Sequence, residues 1–176
     1  FPPPVVLGHE GAGIVIEVGE GVTEIAVGDA VVSSFVSMCG KCRYCQTGRP
    51  QLCDQASKAA YTLPDGTVRT KDLQGKPLNI FSGCGVMAEV ATLHTDNVVK
   101  IDRDIPLDRA ALVSCGVMTG VGAVVNTARV APGSVTVVFG AGGVGLNAIQ
   151  GCAIAGAAMI VAVDMADAKL EMARQF

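Results

Sequence analysis

Through the first half of the chain, apolar positions come in short runs broken by glycine. "GAGIVIEVG" alternates around small residues and reads as a strand, "GEGVTEIAVGD" is turn-rich, and "AVVSSFV" is a compact β-branched strand. A cysteine-rich lobe follows over residues 38–54. The polar stretch "YTLPDGTVRTKDLQGKPLNIF" then carries Pro-Asp-Gly and Gly-Lys-Pro turn signals and predicts a long irregular surface connection. "MAEVATLHTDNVVKI" resumes short strands, and His94 within it reads as a surface histidine without assigned chemistry. From Pro106 the period changes. "LDRAALVSCGVMTGVGAVVNTARV" has helical spacing, with Asp108 placed to cap and small residues that permit close packing. "SVTVVFG" predicts a buried strand, "GGVGLNAIQGCAIAG" an apolar helix closed by Gly156, "MIVAVD" a second buried strand, and "ADAKLEMARQF" the start of another helix. Strand, helix, strand, helix with short links is a βαβ unit with a parallel pair, preceded by a β-rich part. The fold class is therefore α/β with a β-rich N-terminal part. No internal repeat or low-complexity tract interrupts it.

Composition narrows the function classes. Of 176 residues, 50% are hydrophobic and 16% charged, enough apolar content for a folded core rather than a disordered chain. The net charge of −3 and the 4% aromatic content, with no Trp, argue against a nucleic-acid partner, which calls for basic and stacking surfaces. No stretch reads as a signal peptide or membrane span, because glycines cut the longest apolar runs. A cytoplasmic location without a membrane partner is the expectation. Seven cysteines is an odd number, and Cys84, Cys115 and Cys152 lie singly in apolar surroundings, unlike a secreted disulfide framework. The chain opens without Met and stops inside a helical pattern, which reads as a fragment of a longer protein.

Two motifs carry chemistry on their own residues. Cys39, Cys42, Cys45 and Cys53 place four thiols within fifteen residues, with gaps of two, two and seven. Four thiolates around one ion select zinc or iron, and such a closed shell makes a structural site. Lys41 and Arg43 between them favour the thiolate forms. The second motif is Gly140-x-Gly142-x-x-Gly145, after an apolar strand and at the mouth of an apolar helix, with Asp164 19 residues beyond at the end of the next strand. Glycines let the backbone approach a pyrophosphate at a helix N-terminus, and the acid receives ribose hydroxyls. Asp164 would repel a 2′-phosphate and Met165 supplies no cation to offset it, so NAD is favoured over NADP. On their own residues, His9 and Glu10 in "LGHEGAG" are a polar turn, and Cys115 is a small buried hydrophobe.

Together, "GHEGAGIV", "CGKCRYC", "CGV", "VFGAGGVGLNAI" and "VAVD" give a chain that resembles, over its whole length, the zinc-dependent alcohol dehydrogenases of the medium-chain dehydrogenase/reductase family. "PDGTVR" and "GKP" place the resemblance in the class I and class III branch. It implies a GroES-like catalytic domain over 1–115, truncated at its N-terminus, followed over 116–176 by the first half of a Rossmann doubly wound parallel sheet. It implies the Cys39/Cys42/Cys45/Cys53 lobe as the structural zinc site, and His9 and Cys115 as two ligands of a catalytic zinc. The third ligand, a Cys, would precede His9 by about twenty residues, outside this chain. Glu10 matches an acid behind that zinc, Thr119 a residue beside the nicotinamide, and Asp164 and Lys169 the adenosine-ribose contacts. Gly140, Gly142, Gly143, Val144 and Gly145 match the pyrophosphate turn. Met87 stands where the family usually carries an aromatic that lines the substrate pocket. The cofactors implied are zinc and NAD, and the substrate is a primary alcohol or a hemiacetal-like thiol adduct of formaldehyde. The assembly implied is a homodimer or homotetramer, and residues 1–176 alone would lack activity. Two other readings stay open: a four-cysteine zinc-binding interaction module, and a non-catalytic or zinc-free relative such as a quinone-reductase-like protein.

Overall fold

The computed structural model describes residues 3–56, 58 and 60–176. The chain divides into two compact units, Phe1–Ser114 and Cys115–Phe176.

In the first unit, β2 (Ala12–Ile14), β3 (Ala30–Ser33) and β5 (Val98–Lys100) form an antiparallel sheet in the order β2-β3-β5. A separate parallel pair joins β1 (Val5–Val6) to β4 (Asn79–Ile80). The strands are shorter than the apolar runs that contain them. Residues 87–93, the first part of the stretch read from the sequence as short strands, form none. The 61–80 connection is irregular and is built from two tight turns: Leu63 N–H donates to the Thr67 carbonyl, and Asp72 N–H to that of Lys76. A buried polar knot anchors the root of the cysteine lobe. The Ser37 hydroxyl donates to Asn97 Oδ1 at 2.6 Å, and Asn97 Nδ2 donates to the Ser34 carbonyl at 2.9 Å. Asn97 is completely buried, so both halves of its amide need partners, and the knot fixes residues 34–37 against the turn before β5. His94 caps that turn, its Nδ1 accepting from Asp96 N–H. The lobe itself holds the short helix α1 (Arg43–Gln46) and a single 3-10 turn at Pro50–Leu52. The unit closes with α2 (Leu107–Leu112), whose N-terminal boundary is Pro106; Asp108 lies inside the first turn and its side chain does not cap.

In the second unit, α3 (Met118–Gly122) is flanked by wide π-type turns at 113–117 and 123–128, so helical backbone runs unbroken through Leu107–Ala128. Among the described residues this helix alone is long and apolar enough, by length and composition, to cross a membrane. Its small residues nonetheless suit protein packing. A Cβ on Gly120 would lie 2.5 Å from the Val144 carbonyl oxygen, so α3 and α4 (Gly143–Ile154) meet backbone to backbone. The parallel pair β6 (Val135–Phe139) and β7 (Met159–Val163) runs in register from Val135↔Met159 to Phe139↔Val163. Val138, Ile160 and Ala162 pack with Leu146, Ile149 and Ala173 of α4 and α5 (Asp167–Ala173). The continuous apolar runs predict strands buried on both faces, and here the structure differs. Val135, Val137, Phe139 and Met159 are exposed, because helices cover only one face of this two-stranded sheet. Gly156 does close α4, with φ +78.

Candidate functional site

The lobe brings its four sulfurs together. The Sγ atoms of Cys39, Cys42, Cys45 and Cys53 all lie within 4.8 Å of one another, and all four cysteines are free. Cys53 Sγ is 3.6 Å from Cys39 Sγ and 4.0 Å from Cys42 Sγ. Sulfurs at about 2.3 Å from a tetrahedral zinc stand about 3.8 Å apart, so the donor set fits that ion. The N–H groups of Cys39 and Gln55 donate to Cys53 Sγ at 3.5 and 3.4 Å. Burial of Cys53 works against its thiolate, yet these amides together with the Cys39 and Cys45 thiols outweigh it and its pKa falls. At Cys42, N–H groups led by that of Cys45 lower the pKa to about 6. Cys45 moves the other way, pushed up to about 12 by burial and by the neighbouring Cys42. Thiolates this close also repel one another unless a cation offsets their charge. Cys84, outside the lobe, is pushed up to about 12 by burial, against an opposing contact from Asn97, and is a packed thiol.

The His9–Glu10 turn is held on two sides. Gly8 adopts φ +95, and a Cβ there would lie 2.6 Å from the Met87 nitrogen, so the chain passes directly against residues 86–87. Met87 N–H donates to the Leu7 carbonyl and Val86 N–H to that of Gly8. On the other side the Ser33 hydroxyl donates to the His9 carbonyl at 2.7 Å and accepts the Gly11 N–H at 3.0 Å. The His9 ring packs edge-on to Phe35 and Phe81, with centroids 4.8 and 5.6 Å away. Met87 beside this turn is 74% exposed, which leaves its side chain open to a ligand. Phe35, Phe81 and Ser33 carry no spacing signal in the sequence; only folding places them around His9.

In the second unit, Cys115 and Thr119 sit one turn apart, with Sγ and Oγ1 separated by 3.8 Å. The glycine turn joins β6 to α4. A Cβ on Gly145 would fall 1.8 Å from the Gly140 carbonyl oxygen, so no other residue fits there. The first N–H groups of α4, at Gly143 and Val144, point out of the helix end without intrahelical acceptors, the usual setting for an anion. Asp164, at the end of β7, reaches the turn itself: its Oδ2 accepts Ala141 N–H at 2.8 Å and its Oδ1 accepts Ala166 N–H at 3.0 Å. Those amides, Ala141 first, hold its carboxyl below the usual carboxylate range. Lys169 Nζ lies 3.7 Å from Asp164 Oδ2. The glycines, the acid and the lysine thus form one cluster around the end of the parallel pair.

Comparison with known proteins gives the class. Residues 1–103 match the family described as alcohol dehydrogenase GroES-like domain, and the chain belongs to that family. An S-(hydroxymethyl)glutathione dehydrogenase of Paracoccus denitrificans is 43% identical over 175 residues, covering 98% of this chain and 47% of that protein. One from Synechocystis sp. is 44% identical over 174 residues, with 98% and 47% covered. The chain thus spans about half the length of these relatives. Among solved structures, an alcohol dehydrogenase zinc-binding domain protein from Burkholderia ambifaria is 38% identical with TM-score 0.90, over 99% of this chain and 48% of that one. Benzyl alcohol dehydrogenase from Acinetobacter calcoaceticus is 38% identical with TM-score 0.83, over 99% and 47%.

Proposed function

We propose that the full-length protein is an NAD-dependent zinc alcohol dehydrogenase that oxidises a primary alcohol or a thiol adduct of formaldehyde. The observation that carries this reading is the coexistence, in one chain of the GroES-like family, of a four-sulfur cage and a glycine turn clasped by Asp164. A zinc-binding interaction module has no use for that turn, and the open α4 end with its neighbouring acid favours a dinucleotide.

Each residue has its part. Cys39, Cys42, Cys45 and Cys53 form a closed shell and hold a structural zinc. His9 and Cys115 serve as ligands of a catalytic zinc, with Glu10 the acid next to it. When bound, that zinc supplies a Lewis acid toward the alcohol oxygen and NAD accepts the hydride. The backbone N–H groups of Gly143 and Val144 receive the pyrophosphate. Asp164 receives the adenosine ribose hydroxyls, assisted by Lys169, and repels a 2′-phosphate. Thr119 orients the nicotinamide end. In this reading residues 1–115 form the catalytic domain and 116–176 the start of the nucleotide domain.

Substrate class follows from the relatives and from Met87. The relatives are named for S-(hydroxymethyl)glutathione and for benzyl alcohol, both primary hydroxyl compounds. Flexible Met87 beside the His9 turn accommodates more than one shape. The test is a panel of primary alcohols with NAD on the full-length protein, including formaldehyde with and without a thiol. NAD reduction by at least one member is expected. Turnover with NADP in preference to NAD rules out the assigned role of Asp164.

A further inference from the structure

We infer that Ser33 is a positioning residue for the metal ligand His9, an assignment that rests on the reading of His9 given above. The side chain is 3% exposed and sits where β2 and β3 part. The pairs Val15–Asp29, Gly13–Val31 and Gly11–Ser33 are the bonded pairs of this ladder, and at the last of them Ser33 N–H still donates to the Gly11 carbonyl at 2.8 Å. The return bond of a regular antiparallel ladder would run from Gly11 N–H to the Ser33 carbonyl. Instead the Ser33 hydroxyl takes that N–H at 3.0 Å and passes its own proton to the His9 carbonyl at 2.7 Å. One hydroxyl therefore grips the backbone on both sides of Glu10, at the point where the chain leaves the sheet.

On that side Ser33 holds the turn's backbone through both its hydroxyl and its N–H. The aromatic contacts of Phe35 and Phe81 restrain the ring, and residues 86–87 restrain Leu7 and Gly8. Alanine at position 33 leaves the part-buried Gly11 N–H and His9 carbonyl without this partner, and the turn can shift toward the regular ladder. A displacement of about 1 Å at a ligand is enough to matter for metal retention and turnover. Groups that orient a ligand typically contribute roughly 10–100-fold to metal affinity or activity. Ser33 does not touch metal, substrate or cofactor, so its loss acts through the placement of His9.

The experiment uses the full-length protein with both zincs loaded and follows zinc transfer to a chromogenic chelator, the cysteine-lobe zinc serving as internal control. In Ser33→Ala the non-lobe zinc is expected to leave roughly ten-fold faster or more, with kcat lowered, while lobe zinc and NAD affinity stay at wild-type values. Ser33→Thr, which keeps the hydroxyl, restores slow release. Should Ser33→Ala fail to fold, Ser33→Cys, with a weaker donor of similar size, is expected to release that zinc at an intermediate rate. Wild-type release and kcat in Ser33→Ala, or in Ser33→Cys where the alanine variant does not fold, overturns the assignment, as does equal impairment by Ala and Thr. His9→Ala run alongside separates the two levels. Both zincs retained there overturn the ligand reading of His9, whereas one zinc lost there with wild-type behaviour in Ser33→Ala overturns Ser33 alone.

Discussion

At Asp164 one side chain serves two ends. Its carboxylate closes the glycine turn through Ala141 N–H, and in the proposed reading it also receives the adenosine ribose. Replacing it with Ala therefore removes a cofactor contact and loosens the turn that makes the site. We expect NAD to bind the full-length Asp164→Ala variant roughly ten-fold or more weakly, with NADP becoming comparatively acceptable, as read by fluorescence titration. The same amides depress its pKa, and the sign of the pH effect follows. Stability from this group is complete above the unfolded carboxyl value of about 3.9 and is lost as pH falls through the lower folded value. Melting temperature should consequently drop more steeply below about pH 4 in wild type than in Asp164→Asn. The cysteine lobe makes the companion case. Cys42→Ser should cost zinc and thermal stability together, because metal binding there is local folding; unchanged zinc content and melting temperature would remove the cage. These residues were legible from spacing alone. Ser33, Phe35 and Phe81 were not, since contact with His9 across 24 residues or more leaves no periodic trace.

Elements were legible to the extent that their period had no competitor. The parallel strands and the helix between them appear where apolar runs and glycine punctuation agree, and α4 ends at Gly156 as its left-handed backbone requires. Burial of both strand faces was not recoverable, because the run of valines in β6 reads alike whether one face or two are covered. The start of α2 at Leu107 was legible but its cap was not: Pro106 is the N-cap, which leaves Asp108 within the first turn. The α3–α4 contact yields a sharp test. A methyl on Gly120 would stand 2.5 Å from the Val144 carbonyl oxygen and 2.6 Å from Asn147 Cβ, so α4 and its glycine turn must move. Overpacking of this kind costs about 1–3 kcal/mol or more. Gly122, with nothing nearer than Asn126 Nδ2 at 3.8 Å, has room for a methyl. Differential scanning calorimetry and NAD titration should find Gly120→Ala impaired in both respects and Gly122→Ala close to wild type. Equal tolerance at the two positions would mean that the helices do not meet at Gly120.

For the whole molecule, family membership covers 1–103, and the second unit adds the glycine turn with its acid. The chemistry proposed uses His9 and Cys115, which lie 106 residues apart in sequence. Cysteine is the more discriminating of the two, because a lone Cys in a small-residue helix otherwise serves packing. The direct measurement is zinc content and NAD-dependent alcohol oxidation of the full-length Cys115→Ala variant. The expected result is one zinc per chain in place of two, loss of turnover, and NAD still bound at the Gly140–Gly145 turn. Two zincs with near-normal turnover would contradict it, leaving Cys115 as core packing and the zinc chemistry without its ligand.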